Sequence, residues 1–261
     1  MSADSPVRVQ RDGGLAVVSF DAPPLNLFDS ALEAALFAAV DQLEADRPRA
    51  VLFRAEGRVF SAGVDVSLFA ALSSPEAAAA VFDALVALAR RVNALPCPTL
   101  FAAHALCLTW AFELALACDL IVAAESASFG LVEKVIGLTP AMGGTQRLAE
   151  RAGSARALEL VMTGTPFGAS VLERWNVVNR VLPDEGFDAA TRELAHQLAD
   201  GPTLAHAATK QVVRDFLEGG VELANDRVGR VAGGLFGTED LQGALRSFLD
   251  QGPGKAKFSG R

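Results

Sequence analysis

The sequence is poor in residues that would staple it, anchor it or give it a basic surface. Cysteine occurs only at Cys97, Cys107 and Cys118. No C-x-x-C pair is formed and each cysteine sits in apolar sequence, so all three read as buried thiols of a reducing compartment. Basic runs are missing too. With 23 Lys and Arg against 31 Asp and Glu the formal net charge is -8, which excludes the clustered cations that a nucleic-acid surface needs. An anionic ligand must be held by a local pocket. The three histidines lack ligand spacing, so no metal site is expected. His196 and His206 read as surface residues, and His104, in an apolar strand, as a hydrogen-bonded core histidine. Ser61 has no G-x-S-x-G setting and reads as a turn serine, not a nucleophile.

The opening segment MSADSPVRVQRDGG has neither an apolar h-region nor an arginine-rich amphipathic pattern, so a cytoplasmic address and no membrane partner are expected. Leu95 to Phe112 is long enough to span a bilayer. Pro96 and Pro98 interrupt its start, however, and Glu113 and Asp119 lie at and just past its end. A buried strand feeding a buried helix is expected instead. No Pro/Gly/Ser-rich linker divides the chain, and no fixed repeat period is found.

What the sequence has is apolar bulk: 51% of residues are hydrophobic and 21% charged, the balance of a well-packed domain with one main core. Leu15 to Phe20 and Ala50 to Arg54 are rich in β-branched and aromatic residues, whereas Ser30 to Leu43 spaces its apolar residues at three and four. Strand, helix, strand follows. Ser30-x-x-Glu33 matches a capping box, and Ser74 before Pro75 supplies an N-cap with a first-turn proline. Thr99 to Ala103 and Leu120 to Ala123 add strands around a helix beginning near Thr109, the pattern of a mainly parallel sheet. Beyond Gly153 strand signals fade apart from Val177 to Leu182. Helical patterns then cover Phe187 to Leu198, Pro202 to Leu217 and Glu239 to Leu249.

Three segments carry chemistry. Phe60-Ser61-Ala62-Gly63-Val64-Asp65-Val66 places small residues at a sharp turn after a strand, where main-chain N–H groups become accessible to a ligand. Taken alone, it equally describes a surface turn. In Thr109-Trp110-Ala111-Phe112-Glu113, Thr109 is placed to cap a helix whose first turn carries Glu113. An acid there complements the helix dipole, but this glutamate lies in the most apolar part of the chain, where an unpaired carboxylate shifts its pKa or finds a partner. Glu133, twenty positions on, follows Phe129-Gly130-Leu131-Val132. Beside Lys134 it reads either as a solvated edge or as the second member of a carboxylate pair converging at one end of the sheet. Such a pair suits proton transfer next to a thioester, one carboxylate activating water and the other delivering a proton. Two backbone N–H donors, each worth roughly 2.7 to 4 kcal/mol, would meet the charge on the thioester oxygen.

Together these segments resemble the enoyl-CoA hydratase/isomerase (crotonase) superfamily. The likeness runs from Asp21-Ala-Pro-Pro-Leu25-Asn26-Leu27 through Phe60 to Asp65, Phe112 to Asp119, Phe129 to Glu133, Gly137 to Leu148 and Val177 to Val181, and ends at Lys257-Phe-Ser-Gly-Arg261. It implies an α/β fold, a spiral of β-β-α units over 1–195, with a C-terminal helical layer over 196–261 that assembles homotrimers or hexamers. By matching position it implies Glu113 and Glu133 as the catalytic carboxylates and Val64 and Trp110 as the oxyanion-hole amides. It also implies an acyl-CoA thioester substrate held near Leu25, Ala62, Asp65 and Val66. The C-terminal helix of a neighbouring subunit, near Lys257 and Phe258, would touch the nucleotide. Coenzyme A is then part of the substrate, and no separate cofactor is implied.

Both glutamates favour hydration of a 2-enoyl-CoA, since isomerases of the family commonly work with one carboxylate at the Glu133 position. Two departures stand out. Thr109-Trp110-Ala111 replaces a glycine run, so an indole stands where the oxyanion glycine belongs. This carries the expectation of a narrowed acyl channel, and a forced positive φ would add roughly 1 to 2 kcal/mol of strain. The alternatives are therefore a non-catalytic acyl-CoA-binding protein and an isomerase. Arg174-Trp175-Asn176 replaces a glycine before Val177, an expected change to a local turn only.

Overall fold

The computed structural model describes residues 5–261. Residues 1–4, on which the reading of the opening segment partly rests, lie outside the described residues. Strands β1 (Val7–Asp12) and β2 (Leu15–Phe20) form an antiparallel hairpin, its turn made possible by Gly13 at φ 59°. Then come α1 (Ser30–Asp46), β3 (Ala50–Ala55), α2 (Ser67–Ala70), α3 (Pro75–Ala94), β4 (Thr99–Ala103), β5 (Cys107–Leu108), α4 (Trp110–Ala117), β6 (Leu120–Ala124) and β7 (Ser128–Gly130). The second half holds a 3-10 turn (Glu133–Ile136), α5 (Gly144–Ala152), α6 (Ser154–Thr163), β8 (Phe167–Gly168), α7 (Ala169–Arg174), β9 (Arg180–Leu182), α8 (Phe187–Asp200), α9 (Thr203–Gly234) and α10 (Glu239–Gln251).

The main sheet has the order β1-β2-β3-β4-β6-β9 and is parallel from β2 onward. Every residue of β2 and β4 is buried, which is why these strands read as continuous apolar runs instead of alternating ones. A small sheet, β5-β7-β8, lies beside it in the topology. In β4-β5-α4 and again in β6-β7-α5, the chain places one strand in the large sheet, one in the small sheet, then a helix. Two isolated bridges, Phe28 with Val64 and Ser61 with Cys107, carry the same winding back into the first half. The expected spiral is thus built by strand pairs that step between two sheets.

Asp119 ties the layers together. Its Oδ2 accepts from the Thr99 amide and hydroxyl, both at 2.8 Å, and Lys210 Nζ of α9 meets the same oxygen at 2.8 Å. One carboxylate therefore pins the starts of β4 and β6 to the helical layer. The boundary expected at 195/196 falls inside α8, which packs against β2 and β3. The apolar run from Leu95 is divided among β4, β5 and α4, and among the described residues no helix is long and apolar enough to cross a membrane. The three cysteines are free and buried, and burial pushes the Cys97 thiol up to about 12.

Several local expectations are corrected. The cap of α1 is Asp29, whose carboxylate accepts from the Leu32 amide at 2.8 Å; Ser30 is already helical, so the capping box is off by one. Ser74 does cap α3, accepting from Ala77 N at 3.2 Å. Strand β1 was not anticipated because Arg8, Gln10, Arg11 and Asp12 dilute its apolar signal. α9 runs beyond Leu217 to Gly234, past non-helical Gly219 and Gly220. His104 is only half-buried, bonding the Gly57 carbonyl from just past β4. At the second departure from the family pattern, Asn176 takes the left-handed φ of 63°, and Trp175 packs on Phe167 beneath the Arg156 guanidinium.

Candidate active site

Three turns and one helix start converge on a cavity of about 390 Å³. Its walls are mostly apolar, with Phe28, Phe69, Phe82 and Leu138 among them, and three glutamates line it: Glu113 and Glu133, both buried, and half-buried Glu33 of α1. The turn from Ala62 to Val64, the start of α4 at Thr109 and Trp110, and Val66 also line it. The expected convergence of the two glutamates is found, and its cause is topological. β5 and β7 are parallel neighbours in the small sheet, so the segments that follow them, α4 and the Glu133–Ile136 turn, emerge at the same end.

Glu113 is almost fully buried, yet it is not bare. Its Oε1 accepts from the amides of Met142 and Gly144, each at 2.8 Å, at the N-terminus of α5, where free N–H groups favour an anion. Burial raises its pKa, and these hydrogen bonds and the positive charge of Arg147 offset only part of that rise. Gly144 is required here, because a Cβ would stand 2.5 Å from Glu113 Cγ. The Gly143-Gly144 pair lies in a segment singled out above but was given no task there. Glu133, at 9% exposure, has a different environment: its Oε2 is buried without a hydrogen-bond partner. Burial first, and then the charge of Glu113, raises its pKa from 4.5 to about 7.

Val64 and Trp110 contribute main-chain N–H groups. The bridge to Phe28 uses the carbonyl of Gly63 and the amide of Asp65, leaving the Val64 amide without a protein acceptor, and Trp110 is the first residue of α4, where an amide has no intrahelical partner. The glycine-like backbone falls one residue earlier than expected. Thr109, not Trp110, has φ 52° and ψ -120°, a region that costs a β-branched residue of order 1 to 3 kcal/mol. Thr109 makes no side-chain cap, and its hydroxyl is buried without a partner. Gly63, at φ 120°, packs beside it.

The expected obstruction by the Trp110 indole is not found. The side chain is 3% exposed and sits among aromatic neighbours, edge-on to Phe20 at 5.2 Å and tilted against Phe28 at 5.5 Å, with Nε1 donating to Ser61 Oγ at 2.8 Å. Ser61 is therefore more than a turn serine.

The remaining expected ligand-binding residues divide. Leu25 accepts the Ala62 amide through its carbonyl at 3.0 Å and so borders the turn. Asp65 accepts from Ser67 N at 3.0 Å, which holds its carboxyl below the usual range and makes it a turn-former. Lys257 and Phe258 lie on no helix: they belong to an extended tail after α10 and do not line the cavity. Asp240 clamps that tail, accepting from the amides of Ser259 and Gly260 at 2.7 and 2.8 Å. Among the described residues no three His, Cys, Asp or Glu side chains lie together as a metal site would require.

A family model described as enoyl-CoA hydratase/isomerase matches residues 10–259. A Bacillus subtilis (strain 168) protein named probable enoyl-CoA hydratase is 31% identical over 255 residues, covering 95% of this chain and 96% of that one. A carnitinyl-CoA dehydratase of Salmonella enteritidis PT4 is 34% identical over 220 residues, 83% of each chain. The crystal structure of an enoyl-CoA hydratase from Bacillus anthracis superposes with a TM-score of 0.89 at 25% identity, over 98% of this chain and 100% of that one. The match spans the paired strands, the cavity and the helical layer alike, and on it the chain belongs to the enoyl-CoA hydratase/isomerase family.

Proposed function

We propose that this protein adds water across the 2,3 double bond of a 2-enoyl-CoA thioester. The observation that supports this most strongly is the pair of buried carboxylates on one apolar cavity, in unlike environments, with two acceptor-free amides lining the same space. Glu113, held by two backbone donors and near Arg147, is the better base and takes a proton from water as its oxygen bonds to C3. Glu133, near 7 and with one oxygen unpaired, is the better acid and delivers a proton to C2. The amides of Val64 and Trp110 receive the enolate oxygen in between, a task for preorganised donors in a site with little water. Water supplies both the hydroxyl and, through the carboxylate pair, the added hydrogen. The coenzyme A part would follow Leu25, Ala62 and Val66. Lys257 and Phe258 would reach it only from a neighbouring subunit.

Loss of the conjugated-thioester absorbance tests the reading, with crotonyl-CoA and longer 2-enoyl-CoA substrates. Wild type is expected to turn over, and Glu133→Gln to lose roughly 10² to 10⁴ in kcat, the usual worth of a positioned acid. Silence of wild type across the panel overturns hydration. Conversion of a 3-enoyl-CoA instead assigns the site to isomerisation.

A further inference from the structure

The two candidate oxyanion donors sit on separate stretches of chain, Val64 on the turn after β3 and Trp110 at the start of α4. Their spacing decides whether both can reach one oxygen, because donors work only at hydrogen-bond distance from where the oxyanion forms. Backbone pairing supplies part of the alignment: the Leu108 amide bonds the Ser61 carbonyl at 3.1 Å, and the Ser61 amide bonds the Leu106 carbonyl at 3.1 Å. That pairing lies ahead of both donors; beyond it each donor peptide is held through its own carbonyl, Gly63 accepting from the Phe28 amide and Thr109 from the Glu113 amide, both at 2.9 Å, and neither of these bonds links the two arms to each other.

We infer that the Trp110 indole and the Ser61 hydroxyl form a strap that holds the two arms of the oxyanion hole in register, making both side chains positioning residues; this rests on the hydratase reading above. Trp110 Nε1 donates to Ser61 Oγ at 2.8 Å, Ser61 Oγ donates to the Asn26 carbonyl at 2.8 Å, and the Gly63 amide donates to Ser61 Oγ at 3.0 Å. One hydroxyl thus joins the residue before Val64 to the side chain of the residue that carries the other donor. Asn26 extends the link, its amide nitrogen reaching the carbonyls of Glu56, Val59 and Phe60 at 2.9 to 3.2 Å. Asn26, Ser61 and Trp110 are all buried, at 3%, 0% and 3% exposure, so no water can replace a lost partner without rearrangement. A glycine at position 110 would supply the amide and no strap. In this chain the indole adds a side-chain link between two arms that each turn at a residue of positive φ, Gly63 and Thr109.

Trp110→Phe is the decisive variant, since it keeps a ring against Phe20 and Phe28 and removes only the indole donor; Ser61→Ala removes the shared oxygen. Each is expected to lower kcat roughly tenfold, a fraction of the 10² to 10³ that losing a donor outright costs, with KM changed less than about twofold because coenzyme A binding is untouched. The double variant is expected to be no slower than the slower single one, as for two ends of one bond. A second readout is independent of turnover. Bound para-dimethylaminocinnamoyl-CoA should absorb at longer wavelength as its carbonyl is polarised, and both variants should lose about half of that shift at nearly unchanged Kd.

If folded Trp110→Phe keeps both the kcat and the spectral shift of wild type, the strap is overturned. The same holds if its loss lies entirely in KM. Should Ser61→Ala not fold, Trp110→Phe decides alone. A wild type that hydrates nothing but shifts the probe, with the shift lost in Trp110→Phe, upholds the strap and removes the hydratase reading. A wild type that gives no shift removes both.

Discussion

Glu133 enters the cavity with Oε2 buried and unpaired, and its carboxyl is held near 7 by burial and by the charge of Glu113. That raised value is a statement about stability, because the folded chain keeps a proton that the unfolded chain releases. Between pH 4.5 and about 7 the unfolded state therefore gains on the folded one. Below the unfolded value the group carries no such cost, and above the folded value the cost is complete. Glu133→Gln, which cannot ionise, should match wild type most closely near pH 4.5. It should gain on wild type up to neutrality and plateau at about 3 kcal/mol in urea denaturation. A difference that does not vary with pH would show that the carboxyl is not titrating inside the fold. The same proton predicts an activity that declines as pH rises through about 7, as Glu133 loses its acid form.

At the level of elements, catalytic geometry depends on where helices begin. The N-terminus of α5 presents the Met142 and Gly144 amides to Glu113, and α4 begins at Trp110 with its amide free. Gly144→Ala would thrust a Cβ to 2.5 Å from Glu113 Cγ and 2.9 Å from its Oε1. Either the glutamate leaves its two donors or α5 shifts. We expect a loss of stability of roughly 1 to 3 kcal/mol, as for other overpacked sites. Activity should fall at least tenfold, since a displaced base works poorly. Thermal unfolding and crotonyl-CoA hydration measure the two effects, and unchanged kinetics would mean that the seat of Glu113 is unimportant to turnover. The helix start near Thr109 was legible in its motif, whereas the start of α5 at Gly144 and the exact cap residue of α1 were not. Ser30 and Asp29 are both good caps by chemistry, and only backbone geometry chooses Asp29.

On the scale of the molecule, α9 and α10 leave Phe216, Leu217, Val221, Phe248 and Leu249 between 48% and 82% exposed. Apolar residues in that number, on helices that close the fold, mark a contact surface more than a solvent face. Assembly through this layer is the expected outcome, as homotrimers or paired trimers, with sedimentation velocity as the measurement. Phe248→Glu with Leu249→Glu should shift the species toward monomer if α10 contributes. A monomeric wild type at micromolar concentration would remove the assembly. It would also leave Lys257 and Phe258 without a route to coenzyme A, since within one chain Asp240 holds their segment away from the cavity.

The α/β class and the main parallel strands from Leu15 to Ala123 were legible in the sequence because they rest on local signals, apolar runs and 3.6-residue spacing, whereas β1, the short strands of the small sheet and α5 to α7 were not, and the pairing of Glu113 with Glu133 came from motifs in family order. Family likeness also named Val64 and Trp110, which line one cavity. It could not assign the strained backbone to Thr109 instead of Trp110, or show that the indole would pack against Phe20 and Phe28 and bond Ser61. Nor could it indicate that Asn26 and Ser61, thirty-five positions apart, would share a hydrogen bond. Propensity and pattern act along the chain. Which amide remains unpaired, which hydroxyl is shared and which carboxylate is stripped of water depend on the register of parallel strands whose partners are distant in sequence, and only the packed tertiary structure decides them.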